Sequence, residues 1–239
     1  MTDPAYVLVP GAGGEAWYWH RVAADLRRRG RDVVSVDLPG DDESAALPEY
    51  TRLVVEAAGP DRRTGLVVAG QSLGAFTASL ACARLPAALL VLVNPMIPGP
   101  GETPGQWWEN TGQARDMREN DTREGRRAGA EFDAATYFLH DLPRELVEEA
   151  AAHERPESDA VFASPWTLPA WPAVPTRVLI GRDDRLFPVA FQRRVARERL
   201  GIVPQEMPGG HLMALSQPAE VADRLEEYWA EVDGPTAMG

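Results

Sequence analysis

"VVAGQSLGAF", residues 67–76, carries an apolar stretch into Gly-x-Ser-x-Gly and leaves it as a helix-like segment. A serine on a sharp strand-to-helix turn is forced outward at the carboxyl edge of a sheet, and glycines flank it because side chains there would collide across the turn. Gly70, Ser72 and Gly74 fit that geometry. The competing reading is a glycine-rich loop that cradles phosphate at a helix N-terminus. It lacks the Gly-Lys-Ser/Thr of such loops, and all 24 basic residues of the chain are arginine. The pentapeptide by itself is only a hypothesis, which its surroundings must decide.

Outward from it, short Val-rich runs recur at 6–9, 32–37, 66–70, 89–94 and 177–181, with a weaker sixth at 202–207. Runs apolar on both sides of the pleat read as strands buried on both faces of a parallel sheet. Helix-like stretches lie between them at 17–30, 73–85, 189–201 and 219–232. In the last, Val221, Leu225, Tyr228, Trp229 and Val232 fall at helical spacing. Gly30 and Gly201 stand where helices stop. The alternation predicts an α/β fold: a doubly wound, mostly parallel sheet of about six strands with helices on both faces.

Between about 95 and 170 the alternation breaks into a Pro/Gly-rich stretch, a highly charged one and a helical-looking "PRELVEEAAAHERPE". A structureless loop of that length is improbable in a compact domain, so 95–170 reads as a partly helical cap insertion. The core is then 1–94 and 171–239, a single domain overall, ending in a frayed "GPTAMG" tail.

Composition removes several function classes. A formal charge of −12 argues against nucleic-acid or anionic-membrane partners. The absence of lysine removes Schiff-base chemistry. One cysteine, Cys82, allows neither an intrachain disulfide nor a Cys-rich metal site, and its apolar neighbours make it a packing residue. No metal and no cofactor are expected. The N-terminus lacks a signal-peptide pattern and no segment approaches the ~20 apolar residues that span a bilayer, so a cytoplasmic protein, monomer or homodimer, is the expectation.

A serine hydroxyl needs a base within hydrogen-bond reach and a carboxylate that orients the base. Of the four histidines, His20 sits in the first helix beside Trp17 and Trp19, and His140 and His153 belong to the insertion. His211, in "MPGGHLMAL", follows the last strand at the sheet edge of Ser72 and is the candidate base. "LIGRDDRLFP" offers the acid: Asp184 is preferred and Asp183 is the fallback. The order Ser72, Asp184, His211 is the nucleophile–acid–base order of one known arrangement. The Gly-rich turn "VLVPGAGGEAWYW" follows the first strand, and its Ala12 N–H with that of Leu73 would form an oxyanion hole.

Together these residues resemble the α/β-hydrolase superfamily, through the elbow "GQSLG", the acid loop "GRDDRLFP" and the base loop "GGH" in that order. The opening "VLVPGAGGEAWYWHRVAADLRRRGRDVVSVDLPG" is similar to the plant methylesterase and hydroxynitrile-lyase group, with Pro10-Gly11 where members often have His-Gly. The resemblance implies attack on an ester carbonyl and an acyl-enzyme. The lyases' cap lysine is missing here. Trp107, Trp108, Phe132, Tyr137, Phe138, His140 and Trp166 are the candidates for contact with a small hydrophobic ester, thioester or lactone; packing under the cap is the competing role of the aromatic ones. Two other functions stay open: a non-catalytic small-molecule receptor, and a lyase or cyclase with His211 as base.

Overall fold

The computed structural model describes residues 3–59, 65–126 and 133–234. Its strands are β1 (Ala5–Val9), β2 (Asp32–Ser35), β3 (Leu66–Gln71), β4 (Ala87–Val93), β5 (Thr176–Gly181) and β6 (Gln205–Met207). The core helices are α1 (His20–Arg28), α2 (Leu47–Ala58) and α3 (Gly74–Cys82). After β4 come α4 (Pro104–Thr111), α5 (Gln113–Arg123), α6 (Ala134–Tyr137), α7 (Arg144–Ala150) and α8 (Asp159–Ala163). The chain closes with α9 (Val189–Leu200), α10 (Met213–Ser216) and α11 (Pro218–Asp233).

Among the described residues the strands form one sheet in the order β2-β1-β3-β4-β5-β6, all pairs parallel. Parallel neighbours need crossover helices, and these cover both faces. Side-chain alternation divides each strand between them. Val7, Val68, Leu90 and Ile180 pack toward α2, α3 and α9, whereas Leu8, Val67, Val91 and Leu179 pack toward α1 and α11. Each such buried aliphatic side chain contributes about 1.5–3 kcal/mol by leaving water. Strand order reverses at β1, so the carboxyl ends of β1 and β3 lie side by side. In open α/β sheets that crevice is where ligands bind.

The sequence reading placed the strands closely, but α2 was missing from it. Its buried face of Leu47, Tyr50, Thr51, Val54 and Ala58 follows helical spacing, while Ala46 caps it without a side-chain bond and Val54-Val55 add β-branching. The first helix is a 3₁₀ turn over Ala16–Trp19 followed by α1. Gly30 and Gly201 have φ of 81° and 67°, the left-handed conformation that ends a helix.

Gln113–Arg123, which includes the start of the charged stretch, forms α5, and α4 begins with a capping box between Thr103 and Gln106. Trp107, wholly buried, sets its ring 5.2 Å from Phe187 and 5.7 Å from Phe191, and its Nε1 donates to the Ile97 carbonyl. Trp166, also wholly buried, donates from Nε1 to Ser79 Oγ at 2.9 Å. Both indoles thus anchor the segment between β4 and β5 to α3 and α9. Burial pushes the Cys82 thiol up to about 12, which keeps it protonated and inert near neutral pH. No helix among the described residues is long and apolar enough to cross a membrane. The tail residues 235–239 lie outside the described residues.

Candidate active site

Ser72 stands between the last residue of β3 and the start of α3, at φ 51°. A non-glycine residue there costs about 1–2 kcal/mol, so the surroundings must hold it. They do so through both its backbone groups: Ser72 N–H donates to the Val93 carbonyl at 3.1 Å and its carbonyl accepts from Met96 N–H at 3.0 Å. The flanking glycines are sterically required. A Cβ on Gly70 would lie 2.7 Å from Ala78 Cβ, and one on Gly74 would lie 2.2 Å from the Pro10 carbonyl oxygen. A Cβ on Gly11 would meet Gln71 Oε1 at 2.3 Å and Ser72 Cβ at 3.1 Å, which puts the turn after β1 directly against the serine.

His211 Nε2 lies 3.1 Å from Ser72 Oγ, and its Nδ1 lies 2.8 Å from Asp184 Oδ2. A carboxylate only accepts, so Nδ1 carries the proton and Nε2 is left to accept from the serine hydroxyl. All three side chains are buried. The imidazole is walled by Phe187 at 4.8 Å and Phe138 at 5.3 Å, both edge-on. Asp184 Oδ1 accepts from Phe187 N–H at 2.8 Å and Oδ2 from Gln192 Nε2 at 3.4 Å. Asp183 points elsewhere: its Oδ2 accepts from Gly209 N–H at 3.0 Å.

Asn94, wholly buried at the end of β4 with φ 42°, fastens three loops together. Its Nδ2 donates to the carbonyls of Gly210 and His211, and its Oδ1 accepts from Gly181 N–H at 2.7 Å. Gln71 Nε2 also donates to the His211 carbonyl, at 3.3 Å. The sequence reading passed over Asn94, Gln71 and Gln192. The available signal for Asn94 was a lone polar residue closing the apolar run "LLVLVN".

At the turn after β1, Gly14 N–H donates to the Gly11 carbonyl at 3.1 Å. In the trans peptide that joins Gly11 to Ala12, the Ala12 N–H therefore points away from the closure of the turn. Neither Ala12 N–H nor Leu73 N–H makes a backbone hydrogen bond among the described residues. Leu73 also lies at the N-terminal end of α3, where the helix dipole is positive.

A cavity of about 470 Å³ opens beside Gly11, Ala12 and Gln71. Its walls are mainly apolar: Trp17, Phe138, Leu139, Val147, Leu212 and Leu215. Trp17 is stacked between His20 at 4.9 Å and His153 at 4.5 Å. Of the aromatic residues singled out from the sequence, Phe138 lines this cavity. Trp107 and Trp166 are instead core residues, Trp108 packs 5.8 Å from Phe187, and the Tyr137 hydroxyl donates to Asp121 Oδ2 at 2.6 Å. Phe132 lies outside the described residues. His140 borders a second, polar recess together with Asp183, Asp184 and Arg185. Burial and the Arg185 charge hold its imidazole below the usual histidine range, so it is neutral near pH 7. Among the described residues no group of three or more His, Cys, Asp or Glu is placed to hold a metal ion.

Comparison with known proteins agrees with this architecture. The sequence profile described as "Alpha/beta hydrolase family" matches residues 6–224. "Probable esterase PIR7A" of Oryza sativa subsp. indica is 27% identical over 271 residues, covering 95% of this chain and 97% of its own. "Norfluorocurarine synthase 1" of a Strychnos species is 25% identical over 252 residues, covering 93% and 94% respectively. The crystal structure of polyneuridine aldehyde esterase superposes with a TM-score of 0.76 at 22% identity, over 95% of this chain and 99% of that one, a likeness of fold.

Proposed function

This chain belongs to the alpha/beta hydrolase family, and from that premise we propose that it is a serine hydrolase that cleaves a small hydrophobic carboxylic ester, thioester or lactone. The observation that carries the reading is the unbroken relay Ser72 Oγ–His211 Nε2 at 3.1 Å and His211 Nδ1–Asp184 Oδ2 at 2.8 Å, set beside an apolar cavity. His211 takes the hydroxyl proton as Ser72 attacks the carbonyl, and Asp184 stabilises the imidazolium that forms. The N–H groups of Ala12 and Leu73 receive the oxyanion. His211 then returns the proton to the leaving alcohol and activates the water that releases the acid from the acyl-enzyme.

The names of the relatives, "probable esterase" among them, support ester cleavage as the reaction. Residues 95–170 serve as the cap, with Phe138 and Leu139 bringing apolar surface to the substrate. A cavity of about 470 Å³ with mainly apolar walls suits a compact apolar acyl or alkoxy group. The test is Ser72→Ala, assayed on short aryl esters: turnover should fall by at least about 10³-fold while the circular dichroism spectrum is unchanged. A variant with wild-type turnover overturns the assignment. Loss of activity in His211→Ala but not in Ser72→Ala would mark a base-driven lyase or cyclase instead.

A further inference from the structure

Two loops must be held still for the proposed chemistry, the turn after β1 and the loop that carries His211. Neither is stabilised by the core alone. In each, the backbone N–H of a glycine next to the functional residue donates to a carboxylate of the inserted segment. Gly13 N–H, one residue after Ala12, donates to Glu157 Oε2 at 2.8 Å. Gly210 N–H, one residue before His211, donates to Asp141 Oδ2 at 2.7 Å.

Both contacts are built. Glu157 Oε1 accepts from the Tyr50 hydroxyl of α2 at 2.6 Å, so the carboxylate bridges the core helix and the turn. The Gly13 carbonyl accepts from Arg155 Nε at 2.6 Å, so both polar groups of that residue belong to partners from the insertion. Ser158 N–H donates to the Gly40 carbonyl at 2.7 Å and extends the seam. The fit leaves no room for side chains. A Cβ on Gly13 would lie 2.5 Å from the Arg155 carbonyl oxygen, and one on Gly210 would lie 2.7 Å from Asp141 Oδ1. Gly13 has φ 84°, a conformation open to glycine and strained for any residue with a Cβ.

We propose that the insertion assembles the site as well as covering it: Glu157 and Asp141 are positioning residues that fix the oxyanion turn and the base loop through single carboxylate–glycine bonds. The idea rests on the hydrolase reading. Charge-assisted bonds to backbone N–H groups are strong and directional, and a donor displaced by a fraction of an ångström loses its value to a developing oxyanion. Asp141 stands outside the apolar cavity, whereas Glu157 is part of its wall with both carboxylate oxygens committed to the Gly13 N–H and the Tyr50 hydroxyl; the two act through His211 and Ala12 respectively.

The test compares Glu157→Ala and Asp141→Ala with Glu157→Gln and Asp141→Asn, which keep an acceptor oxygen, on an aryl ester. Removing an oxyanion donor costs about 10²–10³ in turnover, and loosening one costs less, so kcat should fall about 10- to 100-fold in each alanine variant. KM should stay within about threefold, and the amide variants should recover most of kcat. If Glu157→Ala does not fold, Glu157→Asp decides: it keeps the charge, withdraws the acceptor by one methylene and should lower kcat in folded protein. Amide hydrogen exchange at Gly13 and Gly210 gives a readout independent of turnover. Protection should be lost in the alanine variants and kept in the amide variants. Wild-type kcat in Glu157→Asp and the alanine variants, or losses that the amides do not restore, would overturn the proposal; so would unchanged exchange. Failure of the hydrolase reading is seen separately, as wild-type protein without turnover dependent on Ser72.

Discussion

At Ser72 the backbone stands at φ 51°, a conformation that lifts the hydroxyl out of the sheet edge at the expense of stability. The strain is local, and its removal is measurable. Ser72→Gly and Ser72→Ala both lack the hydroxyl, but only glycine adopts this φ without a Cβ conflict. The glycine variant should therefore be about 1 kcal/mol more stable than the alanine variant, a difference of roughly 2–4 °C in Tm for a domain of this size. Thermal melts of the pair check it; equal Tm values would mean that the elbow stores no strain. The serine, its two glycines and His211 were legible in the sequence because each has a fixed chemical or steric reason to be where it is. Asp184 was separable from Asp183 only in part. The two are neighbours on one loop, and only the folded loop shows that one meets His211 while the other holds Gly209.

Among the elements, the helices between β4 and β5 are fastened to the core by a partly buried ion pair between Glu102, just before α4 and itself buried, and Arg199 of α9. Burial alone would raise the Glu102 carboxyl, but the bonds from Arg199, Gly99 N–H and Asn110 outweigh it and hold the group below the usual carboxylate range. A depressed folded-state value means that this stabilisation is complete above the unfolded value near 4.3 and is lost as pH falls through the lower folded one. Glu102→Gln should thus cost about 2 kcal/mol at pH 7. The deficit should shrink as the pH is lowered below about 4. Urea titrations of both proteins across that range measure the difference, and a deficit independent of pH would contradict the assigned charge. Element identity was readable from the sequence for strands apolar on both faces. It failed for α2, whose short amphipathic face resembles a loop until Tyr50 and Val54 are seen packed into the core, and for α5, whose charged sequence gives little apolar signal.

For the whole molecule, the parallel order with its reversal at β1 brings together residues that lie 139 positions apart, Ser72 and His211. The sequence supplied the list of parts and their order. It did not supply the partners that hold them: Asn94, Asp141 and Glu157 bond to backbone N–H groups and Gln192 to the Asp184 carboxylate, and none carries a motif, because only the fold defines where those partners lie. The same reasoning explains the tryptophans. An indole reads as a pocket wall or a core anchor with equal ease until its depth is known, and Trp107 and Trp166 are anchors. The central claim, that these distant groups activate one hydroxyl, is tested most directly by reaction with a fluorophosphonate followed by peptide mass mapping. A single adduct on Ser72 is predicted, absent in Ser72→Ala and formed far more slowly in His211→Ala. An active wild-type protein that stays unlabelled at Ser72, or a variant lacking His211 that labels at the wild-type rate, would contradict the account.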